Sequence, residues 1–433
     1  MIDKSESGSK TLRILLAFGL LLSFRTLEYF PGMTYVQESW YVLCFLALLI
    51  VYPISKILNG FEFYAFEIYV LILMLVDVLW PAWRAHQVFG QPLYYGVLRQ
   101  RASVLMGVPL LMFIAMRSRW MSPQYLESTL LLLSWGTFIL YSMMLLFLNP
   151  ADFLSTAGRF VLYVKGSYLF VLHTDFIAFG MIYYAFLALR GQGVKYYIAA
   201  AILFVGVVDN SDARAFMVSL AVMFLYILYR RFSFGNFIKY IAIACTVAAV
   251  TLALGFALKP DYMSARIAGF ADAFKVVFTA SEVEDPSAGI RLVEGNTALP
   301  YIQKNPLLGN GAISHQWQNS PEDVSADVFF PDDIGVLGII FAVGVIGLFV
   351  YAYQFRLAIW ASRRIPERLR SPLSDAAAGY LLVFGINSVS TGSFFYFPEI
   401  SLFFIAILVA IAYDGIRETQ RIAKCKPTAP PLT

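Results

Sequence analysis

Apolar runs recur along almost the whole chain, and no other feature restricts its fold as much. They fall approximately at 11–24, 40–58, 63–82, 102–116, 127–148, 168–189, 194–208, 213–229, 240–258, 334–353, 374–390 and 395–414. Runs of this kind suit helices crossing about 30 Å of hydrocarbon, and they lack the alternation of lipid-facing β-strands. Only 14% of residues are charged, whereas a soluble protein is nearer a quarter. The expected fold is an all-α polytopic membrane protein with about 12 transmembrane helices.

Charge placement orients these spans, because Lys and Arg collect in cytoplasmic connections. With the N-terminus inside, 20 of the 32 Lys and Arg residues fall on the cytoplasmic side. Both termini are then cytoplasmic, and the long polar stretch between spans nine and ten is external. The expected organisation is a cytoplasmic N-terminus (1–10), spans one to nine (11–258), a loop subdomain (259–333), spans ten to twelve (334–414) and a flexible cytoplasmic tail (415–433). A basic start before an apolar run also suits a secretory signal, but no small-x-small cleavage pattern follows Phe24. The net charge of +4 reflects topology and gives no reason to expect nucleic acid as a partner. Cys44 and Cys245 lie in spans and Cys425 in the inner tail, so the loop folds without a disulfide or a zinc-type cluster.

The loop is where chemistry is expected, since functional residues concentrate on loops held by a scaffold. Met263, Ile267, Phe270, Phe274 and Val277 recur at helical spacing, predicting an amphipathic helix against the membrane or the bundle. Asn305-Pro-Leu-Leu-Gly-Asn-Gly311 reads as a turn whose glycines allow close backbone approach. The loop holds eleven acidic against five basic residues. Asp332 and Asp333, at the start of span ten, fit helix capping or a general base. His315 among the glycines fits a base or a satisfied polar residue. Glu282-Val-Glu-Asp285 has a spacing common in solvated loops, so no metal is assigned.

Arg214 opens span eight at the hydrocarbon boundary, where charge is costly and tends to be paired or functional. Arg159, Lys165, Arg266 and Arg291 can converge on the same face, and fork-shaped cations suit a diphosphate. Phe394-Phe-Tyr-Phe397 in the last outer turn fits an interfacial aromatic belt, or rings that stack on sugars.

Asn210-Ser-Asp-Ala-Arg214 opening a helix, Arg291 followed by Asn305-Pro-Leu-Leu-Gly-Asn-Gly311, and Asp333-Ile-Gly-Val-Leu-Gly338 opening the next helix together resemble the O-antigen polymerase and ligase superfamily. The resemblance covers roughly residues 195–355 by motif and the rest by layout. It implies transfer of glycan from undecaprenyl-diphosphate-linked oligosaccharide on the periplasmic face of a bacterial inner membrane, without a cofactor. It also implies that Arg214 and Arg291 hold the diphosphate, and that a chain-length regulator and a flippase are possible partners. Ligases carry a His-Asn pair about ten residues before the helix start, and here residues 325–332 contain no histidine. That departure points to a polymerase, with His315, Asp332 or Asp333 as base. The rival readings are a transporter using Glu67, Asp77, Lys165 or Asp175, and an envelope assembly component whose loop is a docking surface.

Overall fold

The computed structural model describes residues 6–58, 60–153, 161–164, 167–170, 172–210, 214–231, 286–321 and 329–425, and singly residues 238, 253, 264 and 324. The helices are α1 (Glu6–Ser23), α2 (Met33–Leu58), α3 (Ala65–Phe89), α4 (Leu93–Arg99), α5 (Gly107–Arg117), α6 (Pro123–Phe147), α7 (Asp175–Leu189), α8 (Val194–Asn210) and α9 (Arg214–Arg231). After them come α10 (Pro286–Lys304), α11 (Val336–Arg364), α12 (Pro372–Thr391), the short α13 (Ser393–Tyr396) and α14 (Pro398–Cys425). Their ends follow ordinary helix chemistry. Ser122 accepts from the Tyr125 amide at the start of α6, with Pro123 in the first turn. Ser371 and Ser374 exchange hydrogen bonds at the start of α12, and Gly392 ends it in the left-handed region.

Among the described residues, five helices are long and apolar enough to cross a membrane: α2, α3, α6, α11 and Pro398–Glu418 of α14. The pair Leu93–Arg99 and Arg101–Arg117, bent by 46°, makes a sixth if it is one broken span. The chain is therefore a multi-pass helical membrane protein. Shorter apolar helices lie at Leu12–Ser23, Asp175–Leu189, Val194–Val207 and Phe216–Tyr226, and α12 lies at the run expected over 374–390. The run at 240–258 and the amphipathic helix expected over 263–277 lie outside the described residues, apart from Ala253 and Ser264, which are helical.

Two expected spans have a different form. Residues 168–170 belong to a small antiparallel hairpin, β1 (Val161–Val164) and β2 (Ser167–Phe170), in which Val161 faces Phe170. The helix starts only at Asp175, and its 15 residues reach about 22 Å at 1.5 Å per residue. Most of α7 is buried, on all sides, so its hydrophobicity belongs to the interior of the bundle. The run at 102–116 begins as a 3-10 turn, Arg101–Met106, after a break at Gln100, and is therefore one arm of the bent pair.

Helix α14 is the axis of the bundle. Leu402 to Ala412 are buried without interruption, and α5, α11 and α12 pack around them. The two ends of the bundle differ in chemistry. One collects ion pairs rich in arginine: Arg190–Asp375 at 2.6 Å, Arg117–Asp414 at 2.8 Å, Arg368–Glu418 at 3.2 Å and Arg417–Glu62 at 3.8 Å. The opposite end gathers the C-termini of α1 and α3, the N-termini of α11 and α14, and all three histidines. A cavity opens there.

Candidate functional site

The cavity has a volume of about 390 Å³, within the roughly 300–1,000 Å³ of small-molecule sites. Four segments far apart in sequence build its walls: the turn after α1 (Arg25, Glu28, Tyr29), the break between α4 and α5 (Leu98–Ser103), the loop before α11 (Gly311–Gln316, Phe329, Pro331, Asp332) and the turn into α14 (Phe395–Glu399). Asp77 of α3 reaches it from the interior.

A helix break delivers the loop to this place. Gly344 interrupts α11 with φ +71°, freeing backbone groups that a continuous helix would use itself, and Pro81 lies inside α3 facing the same loop. The stretch 306–312 takes up those groups. The amides of Asn310, Gly311 and Ala312 donate to the carbonyls of Phe341 (2.6 Å), Ala342 (2.9 Å) and Pro81 (3.3 Å). The amides of Val345 and Ile346 donate to the carbonyls of Pro306 (2.9 Å) and Leu307 (3.2 Å). Irregular backbone at membrane depth is stable only when satisfied in this way. The fit requires glycine: a Cβ on Gly309 would lie 2.5 Å from the Gly344 nitrogen, and one on Gly311 would lie 2.2 Å from the Ala85 nitrogen. The close approach expected of this turn is thus present.

Side chains of α3 lock the thread. Trp80 Nε1 donates to the Leu308 carbonyl at 2.9 Å. Arg84, buried, donates to the Gly309 carbonyl at 2.9 Å, to Gln87 Oε1 at 2.7 Å and to Asn305 Oδ1 at 3.1 Å. Beyond the helix end, Gln91 accepts from the Ser314 amide at 2.8 Å and donates to the Ala312 carbonyl at 3.3 Å. His315 follows directly, exposed on the cavity wall.

The facing wall is charged. Arg25 Nε lies 3.1 Å from Glu399 Oε1, with both side chains largely buried. Arg25 has φ +52°, a conformation that side chains other than glycine adopt at a cost. Burial pulls the Arg25 pKa down, but Glu399, Glu28, Tyr41 and Tyr29 together outweigh it, so the pKa ends above the ordinary value and the guanidinium stays charged. Arg101 grips Glu38 in a fork, at 2.6 Å and 2.8 Å to Oε1. Asp77 accepts from the Ser103 and Tyr351 hydroxyls.

His315 and Asp332, seventeen positions apart in the sequence, line the same cavity. Asp333 is its exposed neighbour. The capping expectation for these two acids is corrected: both sit in a separate 3-10 turn, Pro331–Ile334, and Gly335 occupies the cap of α11 without a side-chain hydrogen bond. Gly335 is needed there because a Cβ would meet the Val389 carbonyl at 2.4 Å.

Arg291 is exposed on α10, one turn before Glu294, and does not line the cavity. Glu294 Oε1 accepts from the Phe330 amide at 3.2 Å, which ties α10 to the turn that carries Asp332. Burial pushes the Glu294 carboxyl up to about 7, with Asp332 and Asp333 adding to the rise and the Phe330 amide and Arg291 opposing it. Arg214 begins α9 at the end of the bundle to which α8 returns; its side chain is outside the description, as are Arg159, Lys165 and Arg266 altogether. The expected convergence of these cations with Arg291 thus falls outside the described residues.

Arg25, Arg84, Arg99, Arg101 and Glu399 were not anticipated as site residues. Their one sequence signal is charge at the ends of apolar runs, which Arg25 and Glu399 share with many ordinary interfacial residues.

Residues 198–352 match the family described as O-Antigen ligase. Over that stretch the chain carries the domain of the O-antigen polymerase and ligase superfamily. The matched residues include α10, the thread and His315, and the first half of α11. Comparison with curated proteins gives no match.

Proposed function

We propose that the chain polymerises undecaprenyl-diphosphate-linked oligosaccharide repeat units at this cavity, on the periplasmic face of a bacterial inner membrane. The topology that goes with this reading has about twelve spans, both termini in the cytoplasm, and the loop 259–333 outside. The observation that supports it is the juxtaposition of His315 and Asp332, from the matched domain, with Arg99 and Arg101 across one cavity. A chain-length regulator and a flippase would act as partners, and no metal or cofactor is invoked.

The chemistry is a single displacement. A sugar hydroxyl of the acceptor gives its proton to His315 as its oxygen bonds to the anomeric carbon of the donor. The bond from that carbon to the phosphate oxygen breaks with inversion, and the departing diphosphate keeps the electron pair. Where the diphosphate extends beyond the described cavity walls, it is given to Arg291 and Arg214 foremost, with Arg159, Lys165 and Arg266 as further contributors. Asp332 and Asp333 are the alternative bases.

A second reading, ligation of glycan to a lipid A-core acceptor, is favoured by the family description and by His315, which reaches the cavity despite its early position in the loop. Purified protein in liposomes, given lipid-linked oligosaccharide alone or with lipid A-core, separates the two. Polymer formed without the core acceptor is the expected result; product only with that acceptor would establish the ligase instead. Arg291→Ala and Arg214→Ala should each lower the rate about a hundredfold, equivalent to about 3 kcal/mol. Lysine should rescue poorly because it lacks the fork.

A further inference from the structure

We infer that the Arg25–Glu399 pair, with the rings of Tyr29 and Phe397, forms a subsite that binds one neutral sugar ring of the glycan. The inference rests on the glycan-transfer reading above and adds to it where the sugar sits and what recognises it.

Glu399 carries the argument. It is 2% exposed, lines the cavity, and belongs to the first turn of the most deeply buried helix. Neither of its oxygens accepts a hydrogen bond from another described residue, and Arg25 Nε has no acceptor aligned with it. The two charges attract at 3.1 Å, but their hydrogen-bonding capacity is left open. Burying an ion pair is favourable only when further hydrogen bonds fill that capacity. An ionised carboxylate has acceptor sites for about four hydrogen bonds and no donor, so the missing partner is a group with several hydroxyl donors on one edge. Tyr396 Oη, on the same cavity wall, also has no hydrogen-bond partner among the described residues.

The rest of the wall matches the other face of such a ligand. Tyr29 and Phe397 border the pair, and the ring of His173 bridges them, stacked on Tyr29 at 5.5 Å and edge-on to Phe397 at 6.1 Å. The Arg25 guanidinium lies 5.1 Å from the Phe397 ring centre. A pyranose presents hydroxyls at its edge and C–H bonds on its face, so a carboxylate beside half-buried rings that line the cavity complements both. Phosphate fits this end poorly: Glu399 already neutralises Arg25, and Glu28 adds a further acid. The unusual backbone of Arg25 is consistent with a residue held for binding.

The test uses the full chain in nanodiscs, with two probes: the neutral repeat-unit oligosaccharide released from its carrier, and inorganic pyrophosphate. Binding of each is measured by calorimetry, and KM and kcat are measured with the lipid-linked substrate. Phe397→Leu, Tyr29→Leu and the double variant Arg25→Gln/Glu399→Gln remove the ring faces or the whole pair without leaving an orphan charge. Unfolding midpoints near wild type identify variants that remain folded. Each variant should weaken oligosaccharide binding at least tenfold and raise KM more than it lowers kcat, while pyrophosphate binding stays the same. Unchanged oligosaccharide affinity in the folded variants while wild type makes polymer, or parallel loss of pyrophosphate binding in them, would overturn the subsite alone. A wild type that neither binds the oligosaccharide nor elongates it would remove the transfer reading as well.

Discussion

Replacing Arg84 with alanine should loosen the segment that carries His315 without touching the cavity itself. Two of the three Arg84 hydrogen bonds reach the thread, at the Gly309 carbonyl and Asn305 Oδ1, and the third stays within α3 at Gln87. A hydrogen bond from a charged donor contributes about 1.5–3 kcal/mol, so the two are worth about 3–6 kcal/mol at most. Water entering the truncated site recovers part of this, which leaves on the order of 3 kcal/mol, or about a hundredfold in a local opening equilibrium. The reporters are the amides of Asn310 and Gly311, which donate to Phe341 and Ala342. Hydrogen exchange of protein in nanodiscs should show their protection falling about a hundredfold, with the amides of α14 unchanged. Arg84→Lys should restore only part of it, since one ammonium cannot span acceptors that the guanidinium fork reaches together. Transfer activity should fall with protection. Unaltered exchange over 305–316 in Arg84→Ala would refute the role of this clamp.

Gly311→Ala should cost on the order of 3 kcal/mol, from left-handed strain and overlap with α3, because its φ is +93° and the added Cβ meets Pro81 and Ala85 backbone within 2.4 Å. Gly136→Ala meets nothing within 4 Å and should instead leave the thermal midpoint level or raise it slightly; equal effects of the two would contradict the threading geometry. Glu294 keeps in the folded chain a proton that the unfolded chain releases between about 4.5 and 7. Its contribution is therefore fully retained below that window and declines as pH rises through it. Unfolding midpoints at pH 5 and pH 8 should differ more in wild type than in Glu294→Gln, and identical differences would count against the buried site. Single cysteines at Asn319 and Glu367, in a background lacking the native ones, should label from outside and only after permeabilisation, respectively; the reverse would invert the topology.

Hydrophobic runs made most of the helices legible, because a membrane-length apolar run has few alternatives to a helix. They misled where the chain is apolar for another reason: α7 is short and buried on all sides, and residues 167–170 pair as a strand. The breaks at Gln100 and Gly344 were not legible, since a glycine or polar residue in an apolar run gives no sign of which segment will occupy the opening. His315 and Asp332 stood out because a polar loop exposes its chemistry. Arg25 and Glu399 did not. Each looks like a common helix-end charge, and only the packing of the turn after α1 against the first turns of α14 reveals that they face each other. Arg84 was hidden in a similar way, because two of its three acceptors, the Gly309 carbonyl and Asn305 Oδ1, lie 225 and 221 positions further along the chain.

The central claim is that glycan transfer occurs in the cavity between the α4–α5 break and the loop before α11. Filling that cavity without removing any charged or hydrogen-bonding side chain tests it most directly. Ala102 lines the wall and is half-buried, so Ala102→Trp should occupy space that the substrate needs. With lipid-linked oligosaccharide in liposomes, wild type should form polymer while folded Ala102→Trp forms almost none. Polymer at the wild-type rate from Ala102→Trp, or none from wild type, would contradict the account.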